Sequence, residues 1–369
     1  MLNKNIPPAK PQLTLQCMTT QPSTSRPVVI WLYTGLVMII VQILLGGITR
    51  LTGSGLSITE WNVVTGTLPP LSETAWLVEF EKYKRTPQFQ LLNFDFTLNN
   101  FKFIFFWEWF HRFWARLIGV VFLIPFLVFL FQRRFTKEMV RPMMILFLLG
   151  ALQGAVGWIM VASGLTGDAI YVKPTRLALH FLFALGLFAY TCWFAIDLTI
   201  GRKQVITDRN IPRLTIGLIA LLVIQLGFGA LMAGHKAATA APTWPDINGA
   251  MIPEAMWRTE WGLLNFLENK ILIHFMHRNL GYLILLGVIL LSINLYRLKP
   301  QSTIFKLYWW LPLFIVTLQI VLGIASVLFS VQIVPRTWGA FEWMAQLHQM
   351  VAMFLLMSLV GVRYLVAGK

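Results

Sequence analysis

The sequence predicts an all-α polytopic membrane protein of eight transmembrane helices, arranged as two parallel-repeat four-helix bundles with both termini cytoplasmic. Three observations carry this reading. Hydrophobic residues make up 57% of the chain and charged residues only 12%, and the mean hydropathy is +0.68, far from soluble averages. Eight apolar stretches are each long enough for a hydrocarbon core of about 30 Å, which takes about 20 helical residues. The second half of the chain also repeats the pattern of the first.

The predicted spans cover 28–48, 112–131, 143–162, 177–200, 214–233, 271–295, 307–329 and 344–366. The first follows a proline-rich tail that has no apolar signal core. The second starts at the charged run Glu108 to Arg112 and ends before Arg133, Arg134, Lys137 and Arg141. The third carries Gly150, Gly154 and Gly157, and the fourth holds His180 and Cys192. Gly227 and Gly229 lie in the fifth, His277 in the sixth, Gln319 in the seventh and His348 in the eighth. Small residues of this kind let helix backbones approach in lipid, and packing alone accounts for them as well as a cofactor cavity does. The organisation that follows is a disordered tail over 1–27, a first half over 28–200, a cytoplasmic linker over 201–212 and a second half over 213–369.

Orientation follows from the basic residues. One side holds 16 Lys and Arg against three acids, Glu138, Asp197 and Asp208, and the other holds 14 against 12. The positive side is cytoplasmic, or in the matrix. The net charge of +15 therefore reflects topology and not nucleic-acid binding. Cys17 in the tail and Cys192 in a span leave the outer loops without a thiol pair.

Internal similarity supports the two halves. Gln42 and Gly46 recur as Gln225 and Gly229, and Trp61, Gly66 and Pro70 as Trp244, Gly249 and Pro253. After the first outer loop the register changes. His111-Arg112 then matches His277-Arg278, and Gln153 matches Gln319, which places an insertion within 79–100. Both halves begin inside, as expected of repeats about an axis along the membrane normal.

Four of six histidines, His111, His180, His277 and His348, fall at or near the first turn of every second span, and so near one face, the outer one. A porphyrin iron with two imidazole ligands needs them on facing helices, on opposite sides of a flat ring. Four histidines allow two haems. Singly, each is more often a hydrogen-bonded histidine than a ligand; recurrence in both halves favours the ligand reading. Glu108, three residues before His111, shares its helix face, and an ionisable residue at that depth points to function. The bland reading is that Glu108 only pairs with Arg112. His274 takes its place before His277, so the two halves have like ligands and unlike neighbours, one suited to catalysis and one to redox. A shared metal site at His274 and His277 would need further close ligands. His235, without a counterpart, reads as a loop residue. Arg50, Arg112, Arg116, Arg176 and Arg278 stand at the outer ends of spans, where guanidinium suits propionates or simply anchors the interface.

The run Gly46 to Leu56, the segment from Trp61 to Pro70, Glu108-Trp-Phe-His111-Arg112, His277-Arg278 and His348 together resemble the haem A synthase family, over nearly all of the chain beyond the tail. Ala115 stands where that family's first histidine motif has glycine. The missing outer-loop cysteines and the insertion near Glu79 to Pro87 are similar to the proteobacterial and mitochondrial class. The resemblance implies an oxidoreductase that converts a ring methyl of haem O, through an alcohol, to the formyl group of haem A for cytochrome oxidase. It implies that His111 and His180 hold the substrate haem, that His277 and His348 hold a haem b, and that Glu108 is catalytic. Arg112, Arg116 and Arg278 are candidate propionate contacts. The implied location is a bacterial inner membrane rather than a mitochondrial one. Candidate partners are an electron acceptor, haem O synthase, cytochrome oxidase assembly factors and further copies of the chain. Alternatives from other classes are a two-haem electron-transfer cytochrome b and a haem carrier without catalysis. Electron conduits across a membrane stack haems near opposite faces, which the shared face of the histidines disfavours.

Overall fold

The computed structural model describes residues 25–61, 65–200, 206–298 and 303–368. Its helices in order are α1 (Arg26–Leu51), α2 (Glu73–Lys84), α3 (Pro87–Leu92), α4 (Leu98–Phe131), α5 (Lys137–Ala162), α6 (Pro174–Thr199), α7 (Ile211–Gly234), α8 (Asn265–Glu268), α9 (Lys270–Arg297), α10 (Thr303–Tyr308), α11 (Leu311–Phe329) and α12 (Ala340–Leu365). Among the described residues eight helices are long and apolar enough to cross a membrane: α1, α4, α5, α6, α7, α9, α11 and α12. Prolines in the first turn open α1, α6, α7 and α11, where the ring removes no needed hydrogen bond.

Three expectations are corrected. Helix α4 begins at Leu98 and not at residue 112, because Thr97 and Asn100 form a reciprocal N-terminal cap and the residues up to Phe110 are mostly aromatic and aliphatic. Charge at Glu108 and Arg112 hides this turn-by-turn continuity from a hydropathy reading. His111 therefore lies in the middle of its helix, and His180, His277 and His348 lie beyond the first turn of theirs. Arg26 and Pro27 belong to α1 and not to the tail; residues 1–24, with Cys17, and 201–205 of the linker lie outside the described residues. The all-α reading holds, with one short parallel ribbon beside the helices, β1 (Ile206–Asp208) with β2 (Val366–Gly368), pairing Ile206 with Val366.

Helix α1 packs on α4 and α6, and α5 on α6; likewise α7 packs on α9 and α12, and α11 on α12. Helices α6 and α12 join the two sets, with α6 against α7 and α12 against α1 and α6. Phe188, Leu222, Ile284, Leu291, Met353 and Leu359 from both sets share one buried core at this junction, so van der Waals packing there holds the sets together.

The segment between α1 and α4 caps the end of the bundle at which α4 starts. Phe80, Tyr83, Phe101 and Phe105 form an aromatic cluster on the start of α4. The buried Tyr83 hydroxyl donates to Gln88 at 3.0 Å and accepts from Asn93 at 2.7 Å, and burial pushes its pKa up to about 12. Past α3, Asp95 meets Arg336 from the connection between α11 and α12 at 2.7 and 2.5 Å, and the guanidinium also covers the Phe96 ring.

Candidate functional site

A glutamine and a glycine four residues apart recur on four spans: Gln42 and Gly46 on α1, Gln153 and Gly157 on α5, Gln225 and Gly229 on α7, Gln319 and Gly323 on α11. That spacing puts both on one helix face, and each pair faces one of the four histidines. A Cβ on the glycine would lie 3.1 Å from Cε1 of His111, 2.8 Å from that of His180, 3.0 Å from that of His277 and 2.9 Å from that of His348. The glycines thus make room for the rings. The glutamine amides donate to the backbone carbonyls of His111, His180 and His277 at 3.3, 3.2 and 2.8 Å. His348 instead has its Nδ1 2.9 Å from the carbonyl of Gln319 and its Nε2 3.3 Å from the Gln319 side-chain amide, so both contacts that fix the ring come from one residue. Only half of this pattern was read from the sequence, as a repeat; its signal was a glutamine–glycine pair on each span preceding a histidine.

The histidines are brought together in two pairs. The rings of His277 and His348 have centroids 6.1 Å apart. Two imidazoles each bonded at about 2 Å to one metal between them would have centroids about 6 Å apart, so this pair fits an axially ligated iron. His111 and His180 are near enough to interact electrostatically. All four line one cavity of about 1700 Å³, larger than the roughly 300–1,000 Å³ of a single small-ligand pocket. Several residues lining this cavity carry buried polar atoms without partners: Oε1 of Gln42, Gln153, Gln225 and Gln319, and Nδ1 of His111 and His277. Buried polar atoms are rarely left in this state, which suits a site built for a bound group.

Glu108, buried at 2% exposure, also lines the cavity. One carboxylate oxygen accepts from Ser57 Oγ at 2.7 Å and from the Ile58 amide at 2.8 Å, and the other from Arg112 at 2.5 Å. The ion pair that the bland reading required is present, and it is part of a larger anchoring set. Arg112 reaches the carbonyls of Ile58 and Glu60 and lies over Trp61. At the equivalent place Arg278 donates to His274 Nδ1 at 3.1 Å and to the carbonyls of Ala241 and Asp246. His274 is fully buried and held as Glu108 is, by the arginine one turn later. Arg112 and Arg278 are therefore committed to loop carbonyls as well as to the cavity wall. Arg116 and Arg50 line the cavity, and Glu342 of α12 supplies opposite charge to Arg50. Arg176 donates to the carbonyl of Ile159. His235 caps the end of α7 and contacts the carbonyl of Leu267.

The family described as cytochrome oxidase assembly protein (COX15-CtaA) matches residues 29–360. The chain belongs to this family. Among its relatives, the haem A synthase of Flavobacterium psychrophilum is 40% identical over 90% of this chain and 96% of the relative. The haem A synthase of Rhodopseudomonas palustris strain BisB5 is 42% identical over 85% and 86%, and that of Bradyrhizobium sp. strain BTAi1 is 47% identical over 73% and 75%. The family match begins within α1 and ends within α12, so it spans all eight membrane-length helices and all four histidines.

Proposed function

We propose that the protein is a haem A synthase that oxidises a ring methyl of haem O, through an alcohol, to the formyl group of haem A. The observation that carries this reading is the paired arrangement of four cavity-lining histidines with a buried carboxylate, Glu108, three residues before His111, where the second half has His274; the other buried carboxylate of the cavity wall, Glu342, accepts from the Gly339 amide and faces Arg50. His111 and His180 are assigned to the substrate haem, and His277 and His348 to a resident haem b. When bound, that resident haem supplies one-electron redox chemistry.

The net change is methyl plus one water to formyl, with release of four electrons and four protons. A methyl on a conjugated ring is acidified when electrons are withdrawn from the ring. Glu108 takes up a proton there, or activates the water that adds to the carbon. Its oxygens are aimed by Ser57, Ile58 and Arg112, and fixed geometry of this kind is what general-base catalysis requires. The electrons leave to a separate acceptor. The inward-facing termini and a bacterial inner-membrane location belong to the same proposal, on the strength of the basic inner loops.

The test is chromatography with mass detection of haems from cells that make haem O, with and without this chain. Haem A or its hydroxylated precursor only in cells with the protein supports the proposal. Only haems B and O, with the protein folded and haem-loaded, overturns it in favour of an electron-transfer or carrier role.

A further inference from the structure

Small residues in a membrane helix ordinarily let a neighbouring backbone come close, but three glycines at the α4–α5 seam face nothing. Helices α4 and α5 are consecutive in the chain, yet α4 packs closely on α1 and α5 on α6, and the two meet mainly through the rings of Phe122, Phe126 and Phe129 at the Met143–Phe147 end of α5. Their counterparts α9 and α11 pack closely on each other. Gly119 on α4 and Gly150 and Gly154 on α5 have no atom within 4 Å of where a side chain would begin. All three, with Ala115, Phe147 and Ala151, are exposed and line the cavity.

The register of the internal repeat, set by His111 with His277 and Gln153 with Gln319, places Leu285, Val316 and Ile320 opposite Gly119, Gly150 and Gly154. Leu285 and Val316 pack into the shared core, Val316 at 2% exposure. One seam is therefore filled by branched side chains and the other is open at membrane depth. His111 and Gln153, whose buried Nδ1 and Oε1 have no partner, line the same cavity as the three glycines, so the slot is continuous with the first histidine pair.

We propose that the α4–α5 seam is a lateral portal through which an amphipathic porphyrin enters and leaves the first site, with its hydrocarbon tail held in the slot against Phe147, Gly150 and Gly154. The closed α9–α11 seam retains the second haem. This rests on the reading of the protein as acting on haem O, whose long isoprenoid chain suits an apolar slot open to lipid. Exchangeable substrate and permanent cofactor are then distinguished by packing, since the four ligands and their glutamine–glycine supports are alike.

The experiment uses the full chain in lipid nanodiscs, prepared from cells that make no haem O, mixed with vesicles containing haem O. Uptake is followed by haem content and by the optical spectrum, independently of turnover. Gly150→Val with Gly154→Ile, side chains that meet no neighbour on entry, is expected to slow uptake by about an order of magnitude, within the range over which association varies among variants, while the resident haem spectrum is unchanged. The reciprocal variant, Val316→Gly with Ile320→Gly, is expected to make the resident haem exchange with labelled haem in vesicles. Uptake at the unmodified rate by the filled variant overturns the proposal, as does failure of the unmodified protein to take haem O from vesicles. Should the filled variant lose its resident haem, the reciprocal variant decides, and absence of exchange there overturns the portal. Uptake of haem O without conversion to haem A would instead overturn the synthase reading and leave the portal standing.

Discussion

Asp95 and Arg336 are 241 residues apart in the chain and meet through both carboxylate oxygens and both guanidinium nitrogens. They tie the connection between α3 and α4 to the loop that enters α12, at the wall of the cavity, where Phe96 and Arg336 are both lining residues.

Hydrogen bonding to Arg336 holds the Asp95 carboxyl below its usual range. A carboxyl with a depressed folded value stabilises above its unfolded value and stops doing so as pH falls through the folded one. The cap should therefore loosen as pH drops below the ordinary carboxylate range. Limited proteolysis of the segment between α2 and α4 should quicken at low pH in the unmodified protein. In Arg336→Gln the same cleavage should be fast already at neutral pH and lose that pH dependence.

Glu108→Gln keeps the shape of the side chain but removes its charge and its basicity. Turnover of haem O by substrate-loaded protein should fall by at least ~100-fold, the scale of a lost general base, with haem content at both sites retained. Full turnover would remove Glu108 from the mechanism. Glu108→Ala should in addition destabilise the fold by about 3–5 kcal/mol, the scale for stranding a buried ionic partner, here Arg112; thermal unfolding in detergent reads this.

Gly323→Ala places a methyl where Cε1 of His348 lies 2.9 Å away. Overpacking of about 1–3 kcal/mol should appear as faster loss of the second-half haem to a scavenger such as apomyoglobin. Gly217→Ala, with open space around it, is the control and should leave the loss rate unchanged.

Replacing ligands should separate the two sites. His277→Ala or His348→Ala should yield protein without the low-spin bis-imidazole spectrum of a resident haem. His111→Ala and His180→Ala should keep that spectrum and lose only the capacity to bind haem O. Loss of the resident spectrum from a His111 variant would reverse the assignment.

The eight spans were legible because hydropathy and length suffice for a helix in lipid, and the histidine pairs because they recur. The start of α4 was not, because Glu108 and Arg112 interrupt the apolar run while Thr97 and Asn100, well upstream, set the true end. From sequence, Gly157 and Gly229 fit helix packing and cavity lining equally well; the structure turns them toward His180 and His277, a choice fixed by helix rotation and invisible in composition. The partners of Glu108 escaped as well. Ser57 and Ile58 lie on a loop some fifty residues away, and only the folded chain brings an amide and a hydroxyl to that carboxylate.

The β1–β2 ribbon gives the chain an order of completion. Strand β1 lies just before α7, and its partner Val366–Gly368 follows α12 directly. A ribosome must therefore deliver α7, α9, α11 and α12 before β1 can pair, so this edge of the bundle is sealed only after α12 has been made. A nascent chain that has not yet reached α12 carries an unpaired strand edge, a feature that invites association with other chains.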